Sequence, residues 1–250
     1  MNMHLILNIL VIGVLLTSCS NKKKDSEIII PSDEAYKAGL ELLKKQKFND
    51  AAEKFGDIYF QHPGAPITSF AELMEAYSLF KTKKYLDAID VIDNFAVIHP
   101  THQDMPYALY LKGLCYYNQI LDVYHDQDIT KNAKQIFEEL ISRYPNTTYA
   151  KDAKAKLNLV YDHLAGKEME IGRYYQKRLN PIGAINRFST VVNDYQTTSH
   201  TQEALFRLVE SYIALGLTQE AAKYASVLSH NYKDSSWDNY AKKLLGQAGK

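Results

Sequence analysis

Gly39, Phe48, Ala51 and Pro63 are followed by Ala76, Tyr85, Ala88 and Pro100, each displaced by 37 residues (76−39, 85−48, 88−51, 100−63). Self-similarity at one fixed period marks a solenoid, in which a short unit buries its apolar side only by stacking on its neighbours. In both copies two small residues lie 12 apart (51−39, 88−76), where two helices cross closely. A proline then follows the second helix, because its ring cannot continue the hydrogen-bond ladder. Each copy is therefore a helical hairpin.

Three more copies continue the series. The third has Gly113, Ala133, Phe137, Leu140 and Pro145, but its small residues are 20 apart (133−113). The eight extra residues, around Val123 to Asp128, predict a loop ending at a cap, Asp128 or Thr130, which serves either as a binding determinant or as a tolerated surface insertion. The fourth has Gly172, Tyr175, Ala184, Phe188 and Val191, with Gln196 in the proline's place, and the fifth has Tyr212, Gly216, Ala221, Ala225 and Leu228. Between the third and fourth, the spacing of Ala150, Ala153, Leu157, Val160, Tyr161 and Leu164 predicts a helix running through Gly166 to Arg178, about 30 residues long. Trp237, Tyr240, Leu244 and Leu245 predict a terminal capping helix. The hairpins resemble tetratricopeptide (TPR) repeats. The expected fold is all-α, an α-solenoid of about five TPR hairpins in two lobes, 33–145 and 146–246, joined by the long helix.

The amino terminus reads differently. Leu5 to Leu16 is apolar apart from Asn8 and Gly13, shorter than the ~20 residues a membrane-spanning helix needs. Such a run followed by small polar residues is the core of a secretory signal. Its end, Leu16-Thr17-Ser18-Cys19, resembles the lipobox of bacterial lipoproteins, although Met1-Asn2-Met3-His4 holds no Lys or Arg. That resemblance implies cleavage before Cys19, lipidation of Cys19, a signal peptide of residues 1–18 and a flexible tether of 19–32. Ser20, where lipoproteins retained in the inner membrane carry Asp, implies the outer membrane.

Charge and motifs exclude other classes. With 29 basic and 29 acidic residues, no basic field exists to attract nucleic acid. His99 and His102 lack an acidic or cysteine partner at ligand spacing, Cys115 sits in an apolar run, and no phosphate loop or nucleophile motif occurs. No cofactor, metal or enzymatic activity is expected. A hydrolase or metal enzyme would need a clustered nucleophile and base or a ligand set, and neither is evident. The densest candidate for recognition is Arg173, Tyr174, Tyr175, Arg178 and Arg187, since rings and guanidinium groups carry much of the energy at interfaces.

His99-Pro100-Thr101-His102 with Tyr107 to Leu114, Arg143 to Ala150 with Leu164-Ala165, and Gly172-Arg173-Tyr174-Tyr175 with Asn186-Arg187-Phe188 resemble the BamD family of TPR lipoproteins. The resemblance implies a periplasmic scaffold on the outer membrane, held through acyl chains, that assists assembly of β-barrel proteins with other assembly lipoproteins. It implies docking on a BamA-like barrel subunit through Arg187, Tyr174 and Arg173, and reception of unfolded outer-membrane proteins by the first lobe. Repeat geometry would place Tyr36, Tyr77, Phe80 and Lys81 along that lobe's concave side. The competing expectation is a periplasmic TPR lipoprotein serving envelope constriction or peptidoglycan upkeep.

Overall fold

Eleven helices succeed one another among residues 30–248, which are the ones this computed structural model describes. Cys19, the signal segment and most of the tether lie outside the described residues. The helices are α1 (Ser32–Lys44), α2 (Phe48–Gln61), α3 (Thr68–Lys81), α4 (Tyr85–Ile98), α5 (Met105–Tyr117) and α6 (Asp128–Arg143). They continue as α7 (Thr148–Lys177), α8 (Pro181–Asp194), α9 (Thr201–Ala214), α10 (Thr218–Asn231) and α11 (Ser236–Ala248). Each helix packs on the next, as the 37-residue period requires.

One contact recurs and explains the period. The ring of Phe55 lies so close to Gly39 that a Cβ added there would meet it at 2.5 Å, and Phe137 on Gly113 and Phe188 on Gly172 each repeat this at 2.4 Å. All three rings are fully buried. The second hairpin fills the same places with Ala76 and Ile92, and the fifth inverts the sizes with Val209 and Ala225 (each pair 16 apart: 55−39, 92−76, 188−172, 225−209). Summed volume is conserved while the individual residues are not, as close packing demands.

The turns inside the hairpins obey the same register. Gln46 (φ 56°) and Lys83 (φ 62°) are left-handed, and so are Leu179 (φ 55°) and Gly216 (φ 73°), each pair 37 apart (83−46, 216−179). Gly216 is thus the fifth hairpin's turn residue, and its helix-crossing position belongs to Val209. The inserted third hairpin departs from this turn. There Gln127 caps α6 and Asp128 is its first residue, while Thr130 lies one turn inside, hydrogen-bonded to the Gln127 side chain. The expected cap at Asp128 or Thr130 is corrected accordingly; Asp126 Oδ1 accepts the Asp128 N–H instead.

Proline reinforces helix ends without deciding them. His62, His99 and Tyr144 close their helices on the carbonyls of Ile58, Phe95 and Leu140, each just before a proline. Tyr195 and Tyr232 close theirs identically on Val191 and Leu228, with no proline following.

The 30-residue α7 spans about 45 Å, and the apolar clusters change over within it. Leu164 and the residues before it pack with Phe95 and Phe137, whereas Ala165 and Met169 pack with Phe188 and Leu208. Thr147 caps it by accepting the Ala150 N–H. At its middle, Gly166 admits Val123 of the insertion and the ring of His200, which a Cβ would meet at 3.0 and 3.2 Å. At the far end α11 lays Trp237 on Phe206, ring centres 5.3 Å apart, and buries Asp238. Asp238 accepts from Ser229 and the Asp234 N–H and pairs with Lys242, and the Lys242 and Ser229 hydrogen bonds hold it down to about 2.

Candidate partner-binding surfaces

The first surface begins on α3. Tyr77, Phe80 and Lys81 stand at i, i+3 and i+4 and so share a side of the helix. Phe80 and Tyr77 are half-buried at the edge of the large apolar cluster, and Phe80 tilts against Tyr85 at 5.8 Å. Lys81 is exposed, its Nζ 5.4 Å from the centre of the Phe48 ring. Tyr36 leans on Phe55 inside its own hairpin at 5.5 Å, and burial pushes its hydroxyl above the usual range. Its ring contact is therefore with α2, apart from the α3 trio.

Further rings extend this surface along α5 and α7. Tyr149 stacks obliquely on Tyr107 (5.6 Å) and Tyr110 (5.4 Å), and Tyr110 donates to Asp152. Lys156 lies 5.2 Å over Tyr117. Burial first, then the neighbouring hydroxyls of Tyr77 and Tyr149, hold the Tyr107 hydroxyl far above its ordinary range. The period offers a signal for Tyr117, one repeat beyond Phe80 (117−80 is 37).

The second surface is a lattice of charges. Arg173 donates through Nη1 to both Glu203 oxygens at 3.0 Å and through Nη2 to Glu170. Arg207 continues the chain to Glu203 at 3.2 Å and Glu210 at 2.8 Å. Gln176 reaches Ser211 at 3.3 Å. Arg173, Gln176, Arg207, Glu210 and Ser211 border an open cavity of about 610 Å³. Arg173 is therefore already engaged within the fold, by Glu170 three residues before it and by Glu203, which lies 30 residues away and which no local spacing indicates.

Arg187 stands apart from Arg173. It lines two other cavities, of about 370 and 500 Å³. Its guanidinium meets Glu168 at 3.1 Å and keeps 42% of the side chain exposed. The insertion walls the larger cavity: Lys167 binds the carbonyls of Tyr124 and His125 at 3.4 and 3.2 Å, and Gln127 is buried beneath. Tyr174 is 53% exposed, edge-on to Tyr175 at 5.8 Å and covered on one side by Arg178 at 5.2 Å. The three residues expected to dock a partner thus meet different groups within the fold: Glu203 and Glu170 for Arg173, Tyr175 and Arg178 for Tyr174, and Glu168 for Arg187.

The other chemical candidates have structural partners. His99 pairs with the buried Glu72 at 3.1 Å, and His102 accepts the Asp104 N–H. The Cys115 thiol is wholly buried and pushed up to about 12 by burial. No described helix is long and apolar enough to cross a membrane.

Comparison with known proteins bears on the whole chain. The model of the YfiO outer membrane lipoprotein family matches residues 30–228. An outer membrane protein assembly factor BamD of Rickettsia prowazekii is 52% identical over 95% of this chain and 94% of its own. The protein of that name from Caulobacter vibrioides is 38% identical over 95% of this chain and 79% of its own, and one from Neisseria meningitidis is 31% identical over 92% of each. Such identity over nearly the whole length means that the chain belongs to the BamD family.

Proposed function

We propose that this protein is a non-enzymatic scaffold for assembling outer-membrane β-barrel proteins, working within the BAM complex. The extended match to assembly factors of that name carries the reading. Cys19 bears the acyl chains that hold the scaffold on the periplasmic face of the outer membrane, because two or more chains anchor firmly where one does not. The lobe of residues 33–145 receives unfolded barrel proteins at Tyr36, Tyr77, Phe80 and Lys81. Rings there suit apolar and aromatic side chains, and Lys81 suits a terminal carboxylate. The lobe of residues 146–246 docks on a BamA-like barrel subunit, with other assembly lipoproteins joining the complex.

Among the docking residues Arg187 has the strongest support. It keeps much of its side chain exposed and has one internal carboxylate, Glu168, which a partner carboxylate can replace. Arg173 serves by ordering the lattice, and Tyr174 offers an exposed ring. Arg187→Glu should cost about 2–5 kcal/mol of docking, read as loss of the barrel subunit from the complex isolated in mild detergent. Recovery at wild-type yield would remove Arg187 from the interface. Cys19→Ala should leave the chain in the soluble fraction after membrane separation, and firm membrane association of that variant would refute the anchor.

A further inference from the structure

The turn joining α7 to α8 exposes apolar side chains that the fold does not use. Its left-handed residue is Leu179, 90% exposed, where the other hairpin turns hold Gln46, Lys83 and Gly216. Ile182, in the first turn of α8, is 63% exposed. Among the described residues, neither belongs to the apolar clusters of the core around Phe137, Phe188, Phe206 and Ile89. Successive residues of this turn face different spaces: Leu179 and Pro181 border the cavity of about 610 Å³, whereas Asn180 and Ile182 border the one of about 370 Å³ that also holds Arg187.

Charge singles out the same segment. From Lys177 to Asn193 the chain carries Lys177, Arg178 and Arg187 and not one Asp or Glu, although basic and acidic residues number 29 each overall. An exposed aliphatic pair beside Lys177, Arg178 and the half-exposed Arg187, itself paired with Glu168 outside the segment, has the anatomy of an interface centre with a charged rim.

We infer that Leu179 and Ile182 are apolar anchors of the docking surface to which Arg187 belongs. They enter an apolar pocket on the partner that is bordered by carboxylates facing Lys177, Arg178 and Arg187. The inference rests on the reading of Arg187 as a docking residue, and it adds the element that would give that contact its area and its residence time. A rim charge mainly steers approach, whereas buried apolar anchors slow dissociation.

Leu179→Gly separates binding from folding, because glycine adopts a φ near 55° without a Cβ penalty. Its Tm should match or exceed that of the wild type. Its affinity for the purified periplasmic domains of the barrel-forming subunit, measured by calorimetry with the full chain, should fall about ten-fold, as should that of Ile182→Ser. Dissociation should quicken more than association slows. If both variants bind like wild type while Arg187→Glu does not, the anchors are refuted and the Arg187 contact stands. If Arg187→Glu binds normally, the shared surface is refuted whatever Leu179→Gly does. A wild-type chain that fails to bind these domains would overturn both readings.

Discussion

One residue past the small residue of its hairpin, the second repeat has Tyr77 and the fourth has Arg173; four residues past it, they have Phe80 and Gln176 (77−76, 173−172; 80−76, 176−172). The backbone places are the same, yet one region presents rings and the other a chain of ion pairs. Beneath both, glycine or alanine receives a large side chain from the next helix. The difference teaches that repeat packing fixes about half of each helix and leaves the outward positions free to diverge. Glu168, Glu170, Glu203 and Glu210 all meet arginines, whereas Glu75, pressed against Gly56, has as its charged neighbours Glu72 and Asp57.

If the scaffold is common to both regions, a core pair should transplant between them. Gly172→Ala alone drives a methyl group into the buried Phe188 ring and should cost about 1–3 kcal/mol, a fall of roughly 2–10 °C in Tm. Adding Phe188→Ile recreates the Ala76 and Ile92 pair of the second hairpin and should restore much of that loss. Strictly additive losses in a double-mutant cycle would show that the two regions do not share a packing rule.

A smaller effect separates their charges. Burial first, then Glu72 and Asp57, raises the Glu75 carboxyl to about 7 from an ordinary 4.5. Its folded-state pKa is raised, so the native state binds more protons than the unfolded chain between these values. Stability therefore falls as pH climbs from about 4.5 to 7 and stays lower above. Glu75→Gln should stabilise the protein at pH 8 by about 1–2 kcal/mol, allowing for solvent screening, and change little near pH 4. Glu203→Gln, by contrast, weakens the pairing of Arg173 and Arg207 and should lower Tm at both pH values. Calorimetric melts at the two pH values distinguish these outcomes; an unchanged Glu75→Gln curve would mean that this carboxyl is well solvated.

Much of this architecture is legible in the chain because a packing constraint repeats at a fixed interval. The Gly39 and Ala51 spacing, the eight-residue insertion and the unbroken apolar rhythm from Ala150 to Leu164 each have one structural consequence. Less legible is what depends on distant partners. Arg173 meets Glu203 and Arg187 meets Glu168 across 30 and 19 residues, so no local spacing reveals that one guanidinium is fully engaged and the other half-exposed. Gly216 shows a further limit, since glycine suits both a close helix crossing and a left-handed turn, and only the register with Leu179 decides. Tyr110 lies two periods beyond Tyr36 and Tyr117 one beyond Phe80 (110−36 is 74, 117−80 is 37), so the repeat register points to both rings.

The central claim is that one solenoid carries two separable recognition surfaces, and a crossed binding measurement addresses it most directly. Tyr77→Ala/Phe80→Ala and Arg187→Glu chains of native helical content would each be titrated with a carboxy-terminal barrel-protein peptide and with the periplasmic domains of the barrel subunit. The first variant should lose the peptide and keep the domains, and the second should do the reverse. Loss of both ligands by either folded variant, or of neither by both, would contradict the division.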